Sequence, residues 1–352
     1  MNQVTAGAQR PLGLRAGDWV TVRSREEIFA TLDVNSRLDA LPFQPEMLAF
    51  CGQRLRVAKV AHKTCDNIRK TRGRRMENAV HLEGARCDGS GHGGCQADCV
   101  FFWKEAWLQR ADAPRADELK VAGAAPSSGA CTEETVTRSV RAPGQETVAD
   151  PVWVCQTTAL YEATTLLHWW DARQYIKDVT TGNHSAWHML KILFAAGYRQ
   201  LVSLGPGYAL KVALYNWFQR RRGGKPYPVV PATIEPGQPT PTEILNLKPG
   251  EWVEVRSAEE IGATITRDGM NRGMRYDMEM LKYSGGKYRV QMRVDRLLNE
   301  QTGKMMEMKS PCIQLEDVYC RAECTPGRLG CPRASNSYWR EIWLRRTEAP
   351  SS

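Results

Sequence analysis

The stretch GDWVTVRSREEIFATL (residues 17–32) returns as GEWVEVRSAEEIGATI (residues 250–265), and this repeat decides how the chain is organised. The two stretches align without a gap at an offset of 233 residues. The similarity extends to PEMLAFCGQRLRV against DMEMLKYSGGKYRV, and ends with WKEAWL against WREIWL. Agreement over such a length indicates an internal duplication, so the two halves should share one fold.

Each copy has the pattern of a small strand-rich module. WVTVR and WVEVR alternate apolar and polar residues, which predicts strands with their valines on one face. Ser24 and Ser257 are each followed by Glu at the third position, which is the capping box that begins a helix. Short strands and tight turns over about a hundred residues predict an SH3-like barrel with a Cys-rich metal loop. The predicted fold class is α+β, with two tandem barrels joined by a helical insert.

Composition sets the predicted domain boundaries. Residues 111–150 are rich in small and charged residues without periodicity, and residues 223–243 are rich in proline, so both predict linkers. Apolar residues at helical spacing between them predict a helical insert. The predicted segments are a first repeat (12–110), a flexible linker (111–150), the helical insert (151–222), a Pro-rich linker (223–243) and a second repeat (244–348).

The overall composition is that of an ordinary globular protein. Of 352 residues, 42% are hydrophobic and 25% are charged. No apolar run reaches the roughly 18 residues that a membrane span requires, and the N-terminus lacks the apolar core of a signal peptide. We therefore expect a cytoplasmic protein without a transmembrane segment. The formal charge of +9 permits an anionic partner, including nucleic acid.

The eleven cysteines are the main candidates for chemistry. In a reducing compartment, clustered thiols favour metal ligation over disulfides. The first repeat contains CDGSGHGGCQADC at residues 87–99, and the second places cysteines at similar intervals. The predicted ligands of the first site are Cys87, His92 and Cys99, with Cys65 or Cys95 completing it; Cys95 is also a rival to His92. The predicted ligands of the second site are Cys312, Cys320, Cys324 and Cys331.

Zinc is the favoured metal, with one ion in each repeat. Thiolate and mixed Cys/His tetrahedra are ordinary structural zinc sites, and four protein ligands leave no position open for catalysis. An iron–sulfur cluster is the less favoured alternative. Cys155 lies outside both predicted sites and is interpreted as an inert thiol.

The helical insert carries the second group of candidate residues. Residues 166–190 contain three tryptophans and three histidines, a density typical either of a binding site or of a docking surface. A basic run closes the segment that follows and suits phosphate, an anionic membrane surface or an acidic partner. The candidate binding residues are His168, Trp169, Trp170, Asp171, Arg173, Tyr175, Arg220, Arg221 and Arg222.

The repeated GDWVxVRS core, the Cys-rich loop and the WKEAWL/WREIWL ending resemble an uncharacterised family of bacterial proteins with duplicated SH3/KOW-like, metal-binding repeats. That resemblance implies binding of a partner or of nucleic acid and supplies no catalytic residues. CDGSGHGGC also resembles the CDGSH iron–sulfur motif. Gly91 is inserted before the histidine, however, and the upstream Cys-x-Cys pair is missing, so the cluster is not carried over.

These observations predict a zinc-stabilised binding or scaffold protein whose partner is most simply another protein. Two alternatives remain open at this point. One is a nucleic-acid-binding protein that uses the basic surface, and the other is a metal-containing enzyme, possibly biosynthetic, with its site in the Trp/His/Asp-rich insert. The sequence has no Walker loop, no dinucleotide-binding glycine fingerprint and no HExxH motif.

Overall fold

The fold is taken from a computed structural model. It describes residues 11–66, 68, 73–111, 131–145, 147–204, 206–221, 227, 230–324 and 327–350. The chain forms two compact units. The first unit is Met1–Ala186 together with Arg296–Glu307 and Gly330–Ser335, and the second is Trp187–Asp295 with Met308–Leu329 and Asn336–Ser352.

The first repeat is built from short strands around a capped helix. Its strands are β1 (Trp19–Val22), β2 (Arg37–Leu38), β3 (Leu41–Pro42), β4 (Arg54–Val60), β5 (Lys63–Cys65), β6 (Gly73–Arg75), β7 (Ala79–Leu82), β8 (Trp103–Lys104) and β9 (Leu108–Arg110). Its helices are α1 (Arg25–Phe29) and the 3₁₀ helices Pro45–Phe50 and Glu105–Trp107. The predicted capping box is present, because Ser24 Oγ accepts from Glu27 N while the Glu27 carboxylate accepts from Ser24 N.

Between the repeats, most of the described secondary-structure elements are helices. The elements are α2 (Glu133–Arg138), β10 (Thr165–Leu167), α3 (Arg173–Thr180), α4 (Ala186–Ser203) and α5 (Tyr208–Arg221). Strand β10 pairs with β6, which also pairs with β5.

The second repeat has the elements of the first in the same order, except that no described strand corresponds to β8. Its elements are β11 (Trp252–Val255), α6 (Ala258–Gly262), β12 (Met270–Asn271), β13 (Met274–Arg275), the 3₁₀ helix Met278–Tyr283, β14 (Lys287–Arg293), β15 (Arg296–Leu298), β16 (Met305–Glu307), β17 (Ile313–Leu315), the 3₁₀ helix Glu341–Trp343 and β18 (Leu344–Arg346). Ser257 forms the same capping box with Glu260. The sequence duplication is therefore a duplication of structure.

Both main sheets have the same strand order. In the first repeat the order is β8-β7-β4-β1-β9, and in the second it is β17-β14-β11-β18. Trp339 adds an isolated antiparallel bridge to Ile313, at the place that β8 holds beside β7. The α+β class is confirmed. No sheet among the described residues closes into a barrel.

Matching aromatic clusters fill the two cores. Trp107 and Trp343 are fully buried, and each meets a ring of its own repeat (Phe43 or Tyr276) edge-on at a centroid distance of 5.2 Å. Each indole N–H donates to a threonine that follows the capped helix: Trp107 to Thr31 at 3.1 Å and Trp343 to Thr264 at 3.0 Å. These bonds satisfy the polar atom that a buried tryptophan brings with it.

Part of the predicted flexible linker is folded. Helix α2 begins after the N-cap Thr132, and Cys131 and Val136 pack into the core of the first repeat. The sequence gives no sign of this helix because the described residues that are buried here, Cys131, Val136 and Val140, are too few to give a periodic signal. Most of the earlier part of that predicted linker lies outside the described residues. Separately, no described helix is long and apolar enough to cross a membrane.

The first unit also contains a hairpin from the second repeat. Strands β15 and β16 pair antiparallel and belong to this unit with the loop 330–335. Arg296 O accepts from Gln96 N at 3.0 Å, and Arg296 N donates to Gln96 Oε1 at 2.9 Å. Gly303 O accepts from Trp153 N at 2.7 Å. The Cys-rich loop of the first repeat is thus covered by residues almost 200 positions further along.

Candidate metal centre

A buried carboxylate fixes the Cys-rich loop of the first repeat. Glu46 lies on the 3₁₀ helix Pro45–Phe50 and is only 8% exposed. Its Oε1 accepts from Gly91 N at 3.0 Å and lies 2.7 Å from His92 Nδ1. The Cys87 thiol lies 3.6 Å from the same oxygen. One carboxylate therefore draws both ends of the CDGSGH segment together.

Glu46, Cys87 and His92 form a possible metal-ligand triad. One ligand atom from each lies within 4.8 Å of the other two, and within the described chain this is the only such group of His, Cys, Asp or Glu. Glu46 Oε2 is buried and has no hydrogen-bond partner in the described structure. A buried unpaired carboxylate oxygen costs free energy, which a cation would recover. The residues present therefore fit a metal ion.

A small cavity adjoins the triad and brings further thiols to it. Its volume is about 30 Å³, enough for one bound water or ion. The residues that line it and carry sulfur, nitrogen or carboxylate ligands are Cys87, His92, Cys95, Asp98, Cys99, Cys155 and Glu300. Four of these were predicted from the sequence for the first site. The geometry thus gathers Cys87, His92, Cys95 and Cys99 on one wall.

The environment keeps the thiols protonated in the absence of a cation. Burial raises the pKa of Cys99 to about 12 and also raises the pKa values of Cys87 and Cys155. A thiol with a raised pKa is a poor nucleophile. For Glu46, burial alone would raise the pKa, but the hydrogen bond and charge of His92 outweigh burial and lower it. The carboxylate is thus ionised among neutral thiols.

Both nitrogens of His92 face acceptors. Nδ1 faces Glu46 Oε1, and Nε2 lies 3.1 Å from Val154 O. A carboxylate and a carbonyl can only accept, so whichever ring nitrogen carries a proton finds an acceptor. A metal bound through either nitrogen would replace the hydrogen bond at that nitrogen.

Cys65, a predicted alternative fourth ligand, lies elsewhere. It is buried on β5, with its sulfur 4.0 Å from Arg333 Nη1, and it does not line the cavity. Arg333 is itself buried and forms an ion pair with Glu300 at 2.8 Å. Of the two alternatives, Cys95 lies with the other ligands and Cys65 beside a guanidinium.

The residues of the second predicted cluster are divided between the two units. Cys331 belongs to the first unit, whereas Cys312, Cys320 and Cys324 belong to the second. No metal-ligand group is found among them in the part of the chain that the structure describes. The second zinc site stays a prediction.

Each of the two Cys-rich loops is nevertheless bound by a buried glutamate at the same position of its repeat. Glu279, at the position of Glu46, is buried and accepts from Glu323 N at 3.1 Å and from Cys324 N at 2.5 Å. Glu323 N thus plays the part of Gly91 N in the first repeat. This correspondence supports the sequence alignment of His92 with Cys324.

Sequence reasoning missed Glu46 and Cys155. Glutamate on a short helix is ordinarily a surface residue, so PEMLAF gives no sign of a buried carboxylate. The available signal was the duplication, because PEML and MEML retain Glu at the same position. Cys155 lies far from the loop in sequence, and only the fold brings it to the cavity.

The aromatic-rich insert is partly exposed and partly a docking segment. Trp169 and Trp170 are 62% and 58% exposed, and Trp170 stacks on His168. Asp171 pairs with Arg75 and Arg173. Tyr175 donates its hydroxyl to Trp169 O. The predicted residues Arg220 and Arg221 end α5 and are exposed, while Arg222 lies outside the described residues.

Helix α3 and the turn after it dock onto the first repeat. Asn183 imitates a strand partner, because its side chain accepts from Val60 N at 2.7 Å and donates to Val60 O at 2.8 Å. Asp178 is fully buried and pairs with Lys63, which is also buried. These bonds support the docking interpretation for this part of the insert.

The geometry was compared with known proteins. No family model, curated protein or solved structure matches this chain.

The buried histidine His81 leads us to expect that the stability of the protein falls at acidic pH. It lies on β7, its Nδ1 is 2.8 Å from Phe101 O, and burial lowers its pKa from 6.5 to about 4. The unfolded chain therefore takes up a proton before the folded one does, so stability falls as the pH drops below 6.5 toward 4. We expect His81 to contribute about 2 kcal/mol of lost stability between about pH 7 and about pH 5.

The variant His81→Asn isolates this contribution. The asparagine amide can still donate to Phe101 O but cannot titrate. Urea unfolding at both pH values should show a smaller loss of stability in the variant than in the parent protein. Equal losses in the two proteins would contradict the assignment.

Proposed function

We propose that the protein is a zinc-stabilised binding or scaffold protein made of two SH3-like modules. The observation that carries the proposal is the buried triad of Glu46, Cys87 and His92 beside a cavity walled by further cysteines. In this proposal the metal fixes a Gly-rich loop that has too few apolar side chains to fix itself.

The SH3-like description rests on strand order. In each repeat the first strand lies between the long strand and the last strand: β1 lies between β4 and β9, and β11 lies between β14 and β18. A 3₁₀ helix precedes the last strand in both repeats. Small barrels of this kind serve as binding modules, and the analogy extends to the fold alone.

Zinc suits the donor set better than an iron–sulfur cluster does. The wall offers imidazole and carboxylate as well as thiols, a mixture that zinc accepts. Iron–sulfur clusters are held by thiolates, with imidazole in a few cases. Burial raises the pKa values of Cys87 and Cys155, which makes these thiols poor nucleophiles in the absence of a metal.

Metal analysis of single variants tests the metal centre. The purified protein should contain at least one equivalent of zinc, and Cys87→Ser should lose about one equivalent. Cys51→Ser is the matched control, because Cys51 lies outside the cavity and its counterpart in the second repeat is Ser284. Glu46→Gln, which keeps the side-chain volume, should weaken zinc retention against a chelator. A folded wild-type protein without metal would overturn the proposal. A brown protein that contains iron would show that the bound group is an iron–sulfur cluster and not zinc.

Capture experiments test the binding role. The intact protein and a chelator-treated sample serve as paired baits, and a protein partner should be retained by the metal-bound form alone. The same samples are titrated with RNA and DNA at several salt concentrations. Tight binding that weakens steeply with salt would favour the nucleic-acid function instead.

A further inference from the structure

Helix α4 exposes a stripe of large apolar side chains. Its exposed members are Trp187, Leu190, Phe194 and Leu201, and Leu204 follows the last turn. At 100° per residue they fall on one side of the helix. The stripe crosses Gly197, where an added Cβ would meet no atom within 4 Å. Phe194 is 78% exposed, which is unusual for a phenylalanine with no role at the surface.

Helix α5 presents a second stripe of the same kind. Leu210, Leu214, Trp217 and Phe218 are exposed and share one side of this helix. Arg221 lies 4.3 Å from the centroid of the Trp217 ring, so a cation stands directly on the aromatic surface. On α4, Lys191 lies over the Trp187 ring in the same way, at 5.2 Å.

Other parts of the two helices make the packing contacts. Met189 and Ile192 of α4 are buried, and Arg199 donates to the carbonyls of Glu323 and Cys324. The two helices meet through Tyr198 and Tyr215, whose ring centroids are 5.2 Å apart. In the part of the chain that the structure describes, these packing contacts come from side chains outside the two stripes.

The charge of the segment that contains α4 and α5 indicates what kind of surface these helices bind. Between Asp178 and Glu235 the chain contains no acidic residue. It contains seven basic ones: Lys191, Arg199, Lys211, Arg220, Arg221, Arg222 and Lys225. Exposed Trp, Phe and Leu beside cations are the composition of helices that lie in a membrane interface. An acid-free surface complements anionic lipid headgroups.

We infer that α4 and α5 form a docking surface for an anionic phospholipid bilayer. The apolar stripes would enter the headgroup region, while Arg220 and Arg221 would contact lipid phosphates. The two helices contain none of the candidate metal ligands, so the inference goes beyond the proposed function and can stand or fail separately.

Vesicle flotation tests the inference with the full-length protein. The probes are phosphatidylcholine vesicles with and without phosphatidylglycerol. The protein should float with the anionic vesicles, remain in solution with the neutral ones and be released by high salt. Hydrogen exchange should show vesicle-dependent protection in residues 187–221.

Two variants and two matched controls identify the surface. Trp187→Ser with Leu190→Ser and Phe194→Ser should lower the bound fraction about tenfold or more, and Arg220→Glu with Arg221→Glu should do likewise. Val34→Ser with Ile244→Ser removes exposed apolar side chains outside the two helices, and Arg15→Glu reverses an exposed charge outside them; both controls should bind as the parent does.

Several outcomes would overturn the inference. These are absence of flotation at low salt, equal binding to both vesicle types, and loss of binding in the controls as well. A concentration-dependent dimer abolished by the α4 variant, without vesicle binding, would assign the face to a second copy instead. Zinc is measured in every sample: metal retention without flotation contradicts this inference alone, and flotation of a metal-free protein contradicts the proposed function alone.

Discussion

Replacing Asp178 with asparagine should lower the free energy of unfolding of the first unit by about 3–5 kcal/mol. The substitution leaves Lys63 buried without its carboxylate, since both side chains of this pair are almost wholly inaccessible. The Tyr175 ring, 5.0 Å from Lys63 Nζ, recovers only a part of the loss.

A double variant separates charge from packing. Lys63→Met together with Asp178→Leu removes both charges while keeping apolar volume, and should recover most of the stability that Asp178→Asn loses. Urea unfolding at neutral pH measures the free energy of unfolding of the parent protein, the single variant and the double variant. A loss below about 1 kcal/mol in the single variant would mean that Lys63 reaches water and that α3 does not dock as described.

Trp107→Ala and Trp343→Ala should each cost about 3–5 kcal/mol. Both indoles are fully buried, and each substitution also leaves a threonine hydroxyl without its donor. Hydrogen exchange should rise in the repeat that contains the substituted residue. Trp169→Ala serves as the control, because that side chain is largely exposed and should change stability little. Similar losses at Trp169 and Trp107 would contradict the assigned cores.

The sequence predicts the local structure of the repeats well. Ser24 and Ser257 signal capping boxes because the interaction needs only residues three positions apart. The alternating stretches after Gly17 and Gly250 become β1 and β11 because one face of each is buried. Such features depend on neighbours along the chain, which a single sequence displays.

Long-range features are predicted less well. Glu46 becomes a buried anchor only because the Cys-rich loop folds over it, 41 to 46 residues later in the chain. Cys155 reaches the cavity from outside both repeats. Barrel closure also depends on strands that are distant in sequence, and the sheets of the described chain stay open. The spacing of residues along the chain contains no information on these long-range contacts.

The hairpin β15–β16 has a consequence for protein synthesis. A ribosome releases residue 186 long before it releases Arg296–Glu307, which also belongs to the first unit. At about 5–20 residues per second, the roughly 110 residues up to Leu298 take about 6 to 22 s. During that interval the nascent Cys-rich loop lacks the cover that Arg296 and Leu298 later supply. The thiols of the first repeat are thus exposed to metal chaperones and oxidants while translation is still under way.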